Sequence, residues 1–520
     1  MIILGIGGML GDAAAAILKD GELVAAVEES KLVRRRLNWG GTADLPEHSI
    51  ATCLQLAGAK AEQLDAVAVA RPVPKSDFYP KLRARFPNSR LLVVEHHLAH
   101  AASAYYPSPF EDATVLTLDR GADFRCGSRW RAEGSHLALE FEQYDSLGDL
   151  YGRVTTLLGF EANADEHKVQ WLSAAGDARF TELFHDIIGR EGEGARIDRS
   201  YFTTERFSQG GFSPRFYERL GLAPGAAIPD ALRPHIAAGL QSAIEAAAIR
   251  MAGDGHNLCF AGGLGLNALL VAALERQRNV FVQPVSGNAG TAIGAVLDTW
   301  HNAYGQTKRV PFETLCLGPS FSAAEIKQAL ENCKLRFRYL LTHDELIDTA
   351  VTQLSDNKIV AWMQGRMEFG ARALGNRSIL ASPLDPYSTE NLNIFIKHRE
   401  HVRKFAASVP AELASEYFET GPNARYLATV GQVKPAHRDR FAAAILADDL
   451  VRVHTVDRNE NPLYWKLLHA AGKATGLPVL YNTSFNLFGE PLVCTPRDAV
   501  RSFYSSGIDA MFVGQFFLQK

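Results

Sequence analysis

In Glu95-His-His-Leu-Ala-His100, His96 and His100 stand four residues apart, a spacing that puts two imidazoles on one helix face within reach of one metal ion. The same pair fits a helix end whose polar residues cap it. Asp119 favours the first reading: it closes the apolar run Val115-Leu-Thr-Leu118 and is followed by Arg120-Gly121. A carboxylate projecting there from a strand end completes a His/His/Asp ligand set, or else caps a turn.

Ala261-Gly-Gly-Leu-Gly-Leu-Asn267 comes after a short apolar strand and before a helix, so Gly262 and Gly263 let backbone N–H groups approach a phosphate or an adenosine, with Asn267 at the helix start. Close packing of helix on strand explains such a cluster equally well. A second glycine-bearing loop, Gln283-Pro-Val-Ser-Gly-Asn-Ala-Gly-Thr291, precedes a helix of small residues, and the two loops together would bracket a nucleotide.

Further on, Gly365-Arg-Met-Glu-Phe-Gly-Ala-Arg-Ala-Leu-Gly-Asn-Arg-Ser378 holds Arg366, Arg372 and Arg377 among glycines, a phosphate-binding composition. Lys397, Arg399 and Arg403 form a second basic cluster, which also fits a solvated surface. Asn482-Thr-Ser-Phe-Asn486 follows the apolar run Leu477 to Tyr481 and sets amides and hydroxyls, Asn482 and Ser484 among them, at a strand end where ligands sit, unless they only close a turn.

The elements that position these residues are α/β. Ile2 to Ile6, Ala13 to Leu18 and Glu22 to Val27 read as a β-meander with a hairpin at Asp20-Gly21, and Val115 to Asp119, Gly127 to Arg131 and Leu137 to Tyr144 repeat it with a turn at Glu133-Gly134. Two such meanders predict an internal duplication. Helices are expected near 48–57, 97–105, 149–158 and 234–251. A polar break at His301 to Pro311 predicts a domain boundary, with units of 1–310 and 311–520. In the second unit, helices are expected at 323–332 and 461–472, and strands at 358–363 and 477–481.

At 520 residues, 47% hydrophobic and 22% charged, the chain reads as a multidomain folded protein, which excludes disordered, collagen-like and coiled-coil classes. Lys plus Arg is 54 against 58 Asp plus Glu, a net charge of -4, so no global field draws nucleic acid or an anionic membrane and any anion site is local. Six cysteines without a C-x-x-C pair argue against a disulfide framework or a cysteine zinc site and predict a reducing, cytoplasmic setting. No secretory leader is expected after Met1. The most apolar stretch, Leu258 to Leu274, is broken by glycines and falls short of a membrane span.

Taken in order, His96 to Phe110, Ala261 to Asn267, Met363 to Ser378, Ile396 to Phe405 and Tyr481 to Asn486 with Gly489-Glu-Pro491 and Cys494-Thr-Pro496 resemble the O-carbamoyltransferase family that includes the nodulation-protein-U and tobramycin carbamoyltransferase types. The resemblance covers essentially the whole chain. It implies a duplicated actin/Hsp70-type (RNase H-like) ATPase domain followed by a YrdC-like α/β domain. It also implies an enzyme that makes carbamoyl-adenylate from carbamoyl phosphate and ATP and passes the carbamoyl group to a hydroxyl or amine of a small secondary metabolite, as in antibiotic biosynthesis. By the same resemblance His96, His100 and Asp119 hold a divalent metal, iron or manganese with magnesium as a further option, that bridges nucleotide phosphate. Arg372, Lys397, Arg403 and Arg452 bind carbamoyl phosphate and the ATP phosphates. A homodimer is the assembly to consider. The chain departs from the family pattern at Gly11-Asp12-Ala13-Ala14, where His-Asp-Ser-Ala is usual, and at Asn288, where an aspartate of the metal shell is usual; Glu166-His-Lys168 keeps the lysine of an otherwise altered segment. These departures motivate two alternatives, an acyl-adenylate enzyme or amide synthetase with another donor, and a nucleotide-binding pseudoenzyme partner.

Overall fold

The computed structural model describes the chain from Met1 to Lys520 apart from residues 10, 36–43, 74, 204–208, 386, 398–403 and 488. Its first sheet is built from β1 (Ile2–Gly7), β2 (Ala14–Lys19), β3 (Glu22–Glu28), β4 (Ala66–Ala70) and β5 (Arg90–Val94), in the order β3-β2-β1-β4-β5. β1 is antiparallel to β2 and parallel to β4. The β2–β3 hairpin turns at Asp20 and Gly21 with φ of 52° and 80°, the positive pair that a type I′ turn needs. β1, β2 and β4 are buried along nearly their whole length, which is why they read as continuous apolar runs rather than alternating ones.

The second sheet takes β6 (Asp112–Ala122), β7 (Arg125–Glu133) and β8 (His136–Gln143) as its meander, then β11 (Asn257–Ala261) and β12 (Asn279–Val282); the separate hairpin β9 (Ile188–Glu191) with β10 (Gly194–Ile197) intervenes in sequence. The order β12-β11-β6-β7-β8 is that of the first sheet, with the meander on one side of its first strand and two parallel strands on the other. The two halves thus carry the duplicated RNase H-like arrangement. They meet through the helix His96–Tyr105, which follows β5, and the helix Thr291–Asp298, which follows β12. A side chain at Gly294 would overlap the carbonyl of Ala99, so the two helix backbones touch there.

The second unit is one mixed sheet of β13 (Arg338–Tyr339), β14 (Val360–Met363), β15 (Arg377–Ala381), β16 (Ala406–Pro410), β17 (Phe418–Glu419), β18 (Val430–Val433), β19 (Leu450–Val456), β20 (Leu480–Ser484), β21 (Ala510–Val513) and β22 (Phe516–Gln519). Their order is β13-β22-β21-β14-β15-β20-β16-β19-β18-β17. The strand read at 477–481 begins three residues later, because the helix Pro462–Thr475 runs on to a left-handed Gly476 and Pro478 has no N–H to give a ladder. Among the described residues no helix is long and apolar enough to cross a membrane.

Candidate functional site

β5 turns directly into the His96–Tyr105 helix, and Glu95 caps it by accepting from the N–H groups of His97 and Leu98 at 3.0 and 2.8 Å. Thus aimed, His96 and His100 meet the end of β6 in the other half. Asp119 Oδ2 lies 2.8 Å from His96 Nε2 and 3.3 Å from His100 Nε2, and all three residues are buried. Their ligand atoms lie within 4.8 Å of one another.

The neighbours orient each donor. His96 Nδ1 donates to the Arg71 carbonyl at 3.1 Å, which leaves Nε2 facing the cluster, and the His96 N–H donates to Asp123 at 2.8 Å. Asp119 Oδ1 accepts from the N–H groups of Arg120 and Gly263 at 2.8 and 3.3 Å, leaving Oδ2 to the histidines. Burial works against charge on Asp119, but hydrogen bonds from His100 and His96, and their charges, outweigh it and hold the carboxyl well below its usual range. For His96 burial is likewise outweighed, by the Asp119 bond and charge, and its pKa rises; His100 falls, chiefly through burial. His100 Nδ1 is buried and has no hydrogen-bond partner among the described residues. Two imidazoles and a carboxylate whose ligand atoms converge fit a divalent transition metal.

His97 plays no part in the cluster. It accepts from the Thr117 hydroxyl at 2.8 Å, donates to the Arg125 carbonyl at 3.2 Å, and is pushed by burial down to about 3. Asn288 stands on the facing half, in the turn leading into Thr291–Asp298, with its Oδ1 buried and without a partner among the described residues. Gly262 and Gly263 serve close packing: Gly262, at φ +92°, lies on the Leu118 carbonyl, and a Cβ at Gly263 would sit 2.9 Å from Asp119 Oδ1. Asn267 caps the helix Ala268–Glu275 through Leu270 N–H and donates to Gln241 at 2.8 Å. Lys168 pairs with Asp165 at 3.1 Å and lies over the Phe160 ring.

In the second unit, Arg366 and Arg377 bond main-chain carbonyls where a phosphate was expected. Arg366 donates to Gly318 at 3.0 Å and Val24 at 2.9 Å; Arg377, wholly buried, donates to Gln364 at 2.6 Å, Asn376 at 3.0 Å and Pro319 at 3.2 Å. A glycine-rich loop has carbonyls outside any ladder, and buried guanidiniums satisfy them. Arg372 remains half-buried, with Nη2 3.3 Å from the Leu266 carbonyl in the glycine loop of the first unit. Lys397 donates to the carbonyls of Ser484 and Asn486 at 2.6 and 2.9 Å, and Asn482 donates to the Ala373 carbonyl at 3.1 Å. Arg452 lies 5.3 Å over the ring of Trp171, on the helix that bears Lys168. Arg399 and Arg403 lie outside the described residues. Glu95, Asp123 and Glu368 were not singled out from sequence, although the place of Glu95 at the start of an amphipathic helix marks it as a cap.

A duplicated α/β unit with a His/His/Asp cluster between its halves thus meets a second α/β unit, whose arginine loop reaches into it. Residues 78–297 match the family described as Carbamoyltransferase N-terminus and residues 351–520 that described as Carbamoyltransferase C-terminus. The chain is 31% identical to an uncharacterised protein of Synechocystis sp. over 100% of its own length and 96% of the other, and 32% identical to nodulation protein NolNO of Sinorhizobium fredii over 98% and 79%. Nodulation protein NolO of Bradyrhizobium diazoefficiens is 31% identical over 82% of this chain and 79% of its own. A solved structure of HypF from T. kodakarensis aligns with 58% of this chain and 48% of its own at 13% identity and a TM-score of 0.33. The chain belongs to the carbamoyltransferase family and is an enzyme of that class.

Proposed function

We propose that this enzyme forms carbamoyl-adenylate from carbamoyl phosphate and ATP in residues 311–520 and transfers the carbamoyl group, in residues 1–310, to a hydroxyl or amine of a small metabolite. Water cleaves carbamoyl phosphate to phosphate and carbamate, and a carbamate oxygen attacks the ATP α-phosphorus and displaces pyrophosphate; in the second stage the acceptor takes the carbamoyl group, loses its proton and releases AMP. Bringing two anions together requires local positive charge. Arg372, Lys397, Arg403 and Arg452 are the groups proposed to supply it.

The observation that carries this reading is the convergence of His96, His100 and Asp119 from two halves onto one buried point. A divalent metal, iron or manganese, held there would supply Lewis acidity at the nucleotide phosphate. His96, held by the Arg71 carbonyl, and Asp119, held by Arg120 and Gly263, have their donor atoms turned inward. Arg372, at the Leu266 carbonyl, stands where the second unit meets the first. We place the reaction in the cytoplasm.

ATP–pyrophosphate exchange, with and without carbamoyl phosphate and across a panel of divalent metals, tests the reading. Exchange that depends on carbamoyl phosphate is the expected result. Exchange without it would favour another acyl donor, and none under any metal would leave a nucleotide-binding protein that has lost the reaction, the outcome that the departures at Gly11 and Asn288 motivate.

A further inference from the structure

The main chain from Arg366 to Arg372 crosses both halves of the first unit. At its start Arg366 donates to the Val24 carbonyl in β3. At its middle, Lys31 Nζ donates to the carbonyls of Glu368 and Gly370 at 2.9 and 2.8 Å and pairs with Glu28 Oε1 at 2.8 Å. The same Glu28 oxygen accepts from the Gly370 N–H at 2.8 Å. At its end the loop reaches the second half: a Cβ at Gly370, φ +105°, would lie 2.8 Å from Val285, and Arg372 touches Leu266.

Glu28 and Lys31 are 6% and 5% exposed. An ammonium group has three N–H donors, and here each has an acceptor, two of them carbonyls of another unit. Burying an ion pair costs desolvation that an i,i+3 pair left on the surface would avoid. What this pair gains is a fixed loop. Glu368 extends the effect inward, since its Oε1 accepts from the N–H groups of Leu374, Asn376 and Arg377 at 2.8, 2.8 and 3.0 Å.

We infer that Glu28 and Lys31 are positioning residues: they grip the main chain of 368–370 so that Arg372 is presented beside the glycine loop, which ties the donor-activating arginine to the first half of the transfer unit. The inference rests on the reading of Arg372 as a phosphate-binding group. The grip touches no atom of the His96, His100 and Asp119 cluster, so the two are separable.

The test uses the full chain, Lys31→Met, and Glu28→Gln/Lys31→Met, which removes both charges so that no lone buried charge threatens folding. In carbamoyl-phosphate-dependent exchange we expect the KM for carbamoyl phosphate to rise about tenfold in both, with bound metal unchanged, because loss of loop geometry weakens binding at Arg372. Tryptic cleavage after Arg366 and Arg372 should quicken about tenfold in both as the loop is freed. A KM within twofold of the parent, with only kcat per total protein reduced, would show that the pair merely supports the fold and would overturn the inference. If the parent itself gives no exchange, the functional reading fails while the cleavage rates still decide this one: equal rates in parent and variants would sink it.

Discussion

The two halves of the first unit share a strand order and differ at the ends of their first strands. Thr117 of β6 pairs with Ala261 as Ile6 of β1 pairs with Val69, so two residues further on Asp119 and Gly8 occupy matching places. Asp119 receives His96 and His100 from the helix after β5. At the matching point Gly8 donates its N–H to Thr291, at the start of the helix after β12, at 3.1 Å. Gly8 is at φ +67° and a side chain there would overlap the carbonyl of Asp12. One backbone plan thus yields a ligand cluster in one place and a close backbone contact in the other, and the choice turns on whether the strand end has room for a Cβ.

The sharpest way to break the contrast is Asp119→Asn, which keeps the shape and removes the anionic ligand. Metal content measured by elemental analysis should fall to background and carbamoyl transfer by about a thousandfold, the scale expected when a preorganised charge is lost from a reacting centre. Metal retained at parental stoichiometry would dissolve the cluster. Acid should act on every buried group whose pKa is lowered, His97 and Asp119 among them, and in the second unit on His454. His454 is wholly buried and pushed by burial down to about 3, with its Nδ1 3.0 Å from the Ser408 hydroxyl. The unfolded ring takes up a proton below about pH 6.5 and the folded one does not, so its contribution is constant above that pH and stability falls by about 1.4 kcal/mol per pH unit on going down towards pH 3. His454→Leu should make urea-derived stability less steep in pH by that amount, and an unchanged slope would remove His454 from the account.

A subtler change is Gly263→Ala, which places a methyl 2.9 Å from Asp119 Oδ1. Displacing the carboxylate from its backbone support should weaken metal binding about tenfold, measured by competition with a chelator, with little change in melting temperature. The smallest effect belongs to Gly11→His, which introduces the histidine expected there from the family resemblance. Among the described residues nothing lies within 4 Å of a Cβ at Gly11, and its φ is not positive, so stability should stay within about 0.5 kcal/mol of the parent. Any change in transfer rate would then report chemistry rather than folding.

The duplication and the separate donors of the His/His/Asp cluster were legible in the sequence for local reasons. Hairpin turns need positive φ, and Asp20-Gly21 advertises it; an i,i+4 histidine pair must share a helix face; a carboxylate after an apolar run must leave the strand end. The roles of Arg366 and Arg377 were not legible. An arginine among glycines reads alike whether it meets a phosphate or a carbonyl, and the partners here, Val24 and Pro319 among them, come from far along the chain. Gly262 and Gly263 were legible as a close approach, but not as an approach to Asp119.

The sequence by itself determined the class of the elements read from it, the repeat, and which residues carry donors for a metal or charge for an anion, because these follow from side-chain type and short-range periodicity. Only the tertiary structure decided which donors meet. His96 and Asp119 come from different halves, Arg372 and Leu266 from different units, and Lys31 closes on Gly370 across the chain. Such contacts are fixed by the packing of sheets and helices on one another, and no local rule of spacing encodes that.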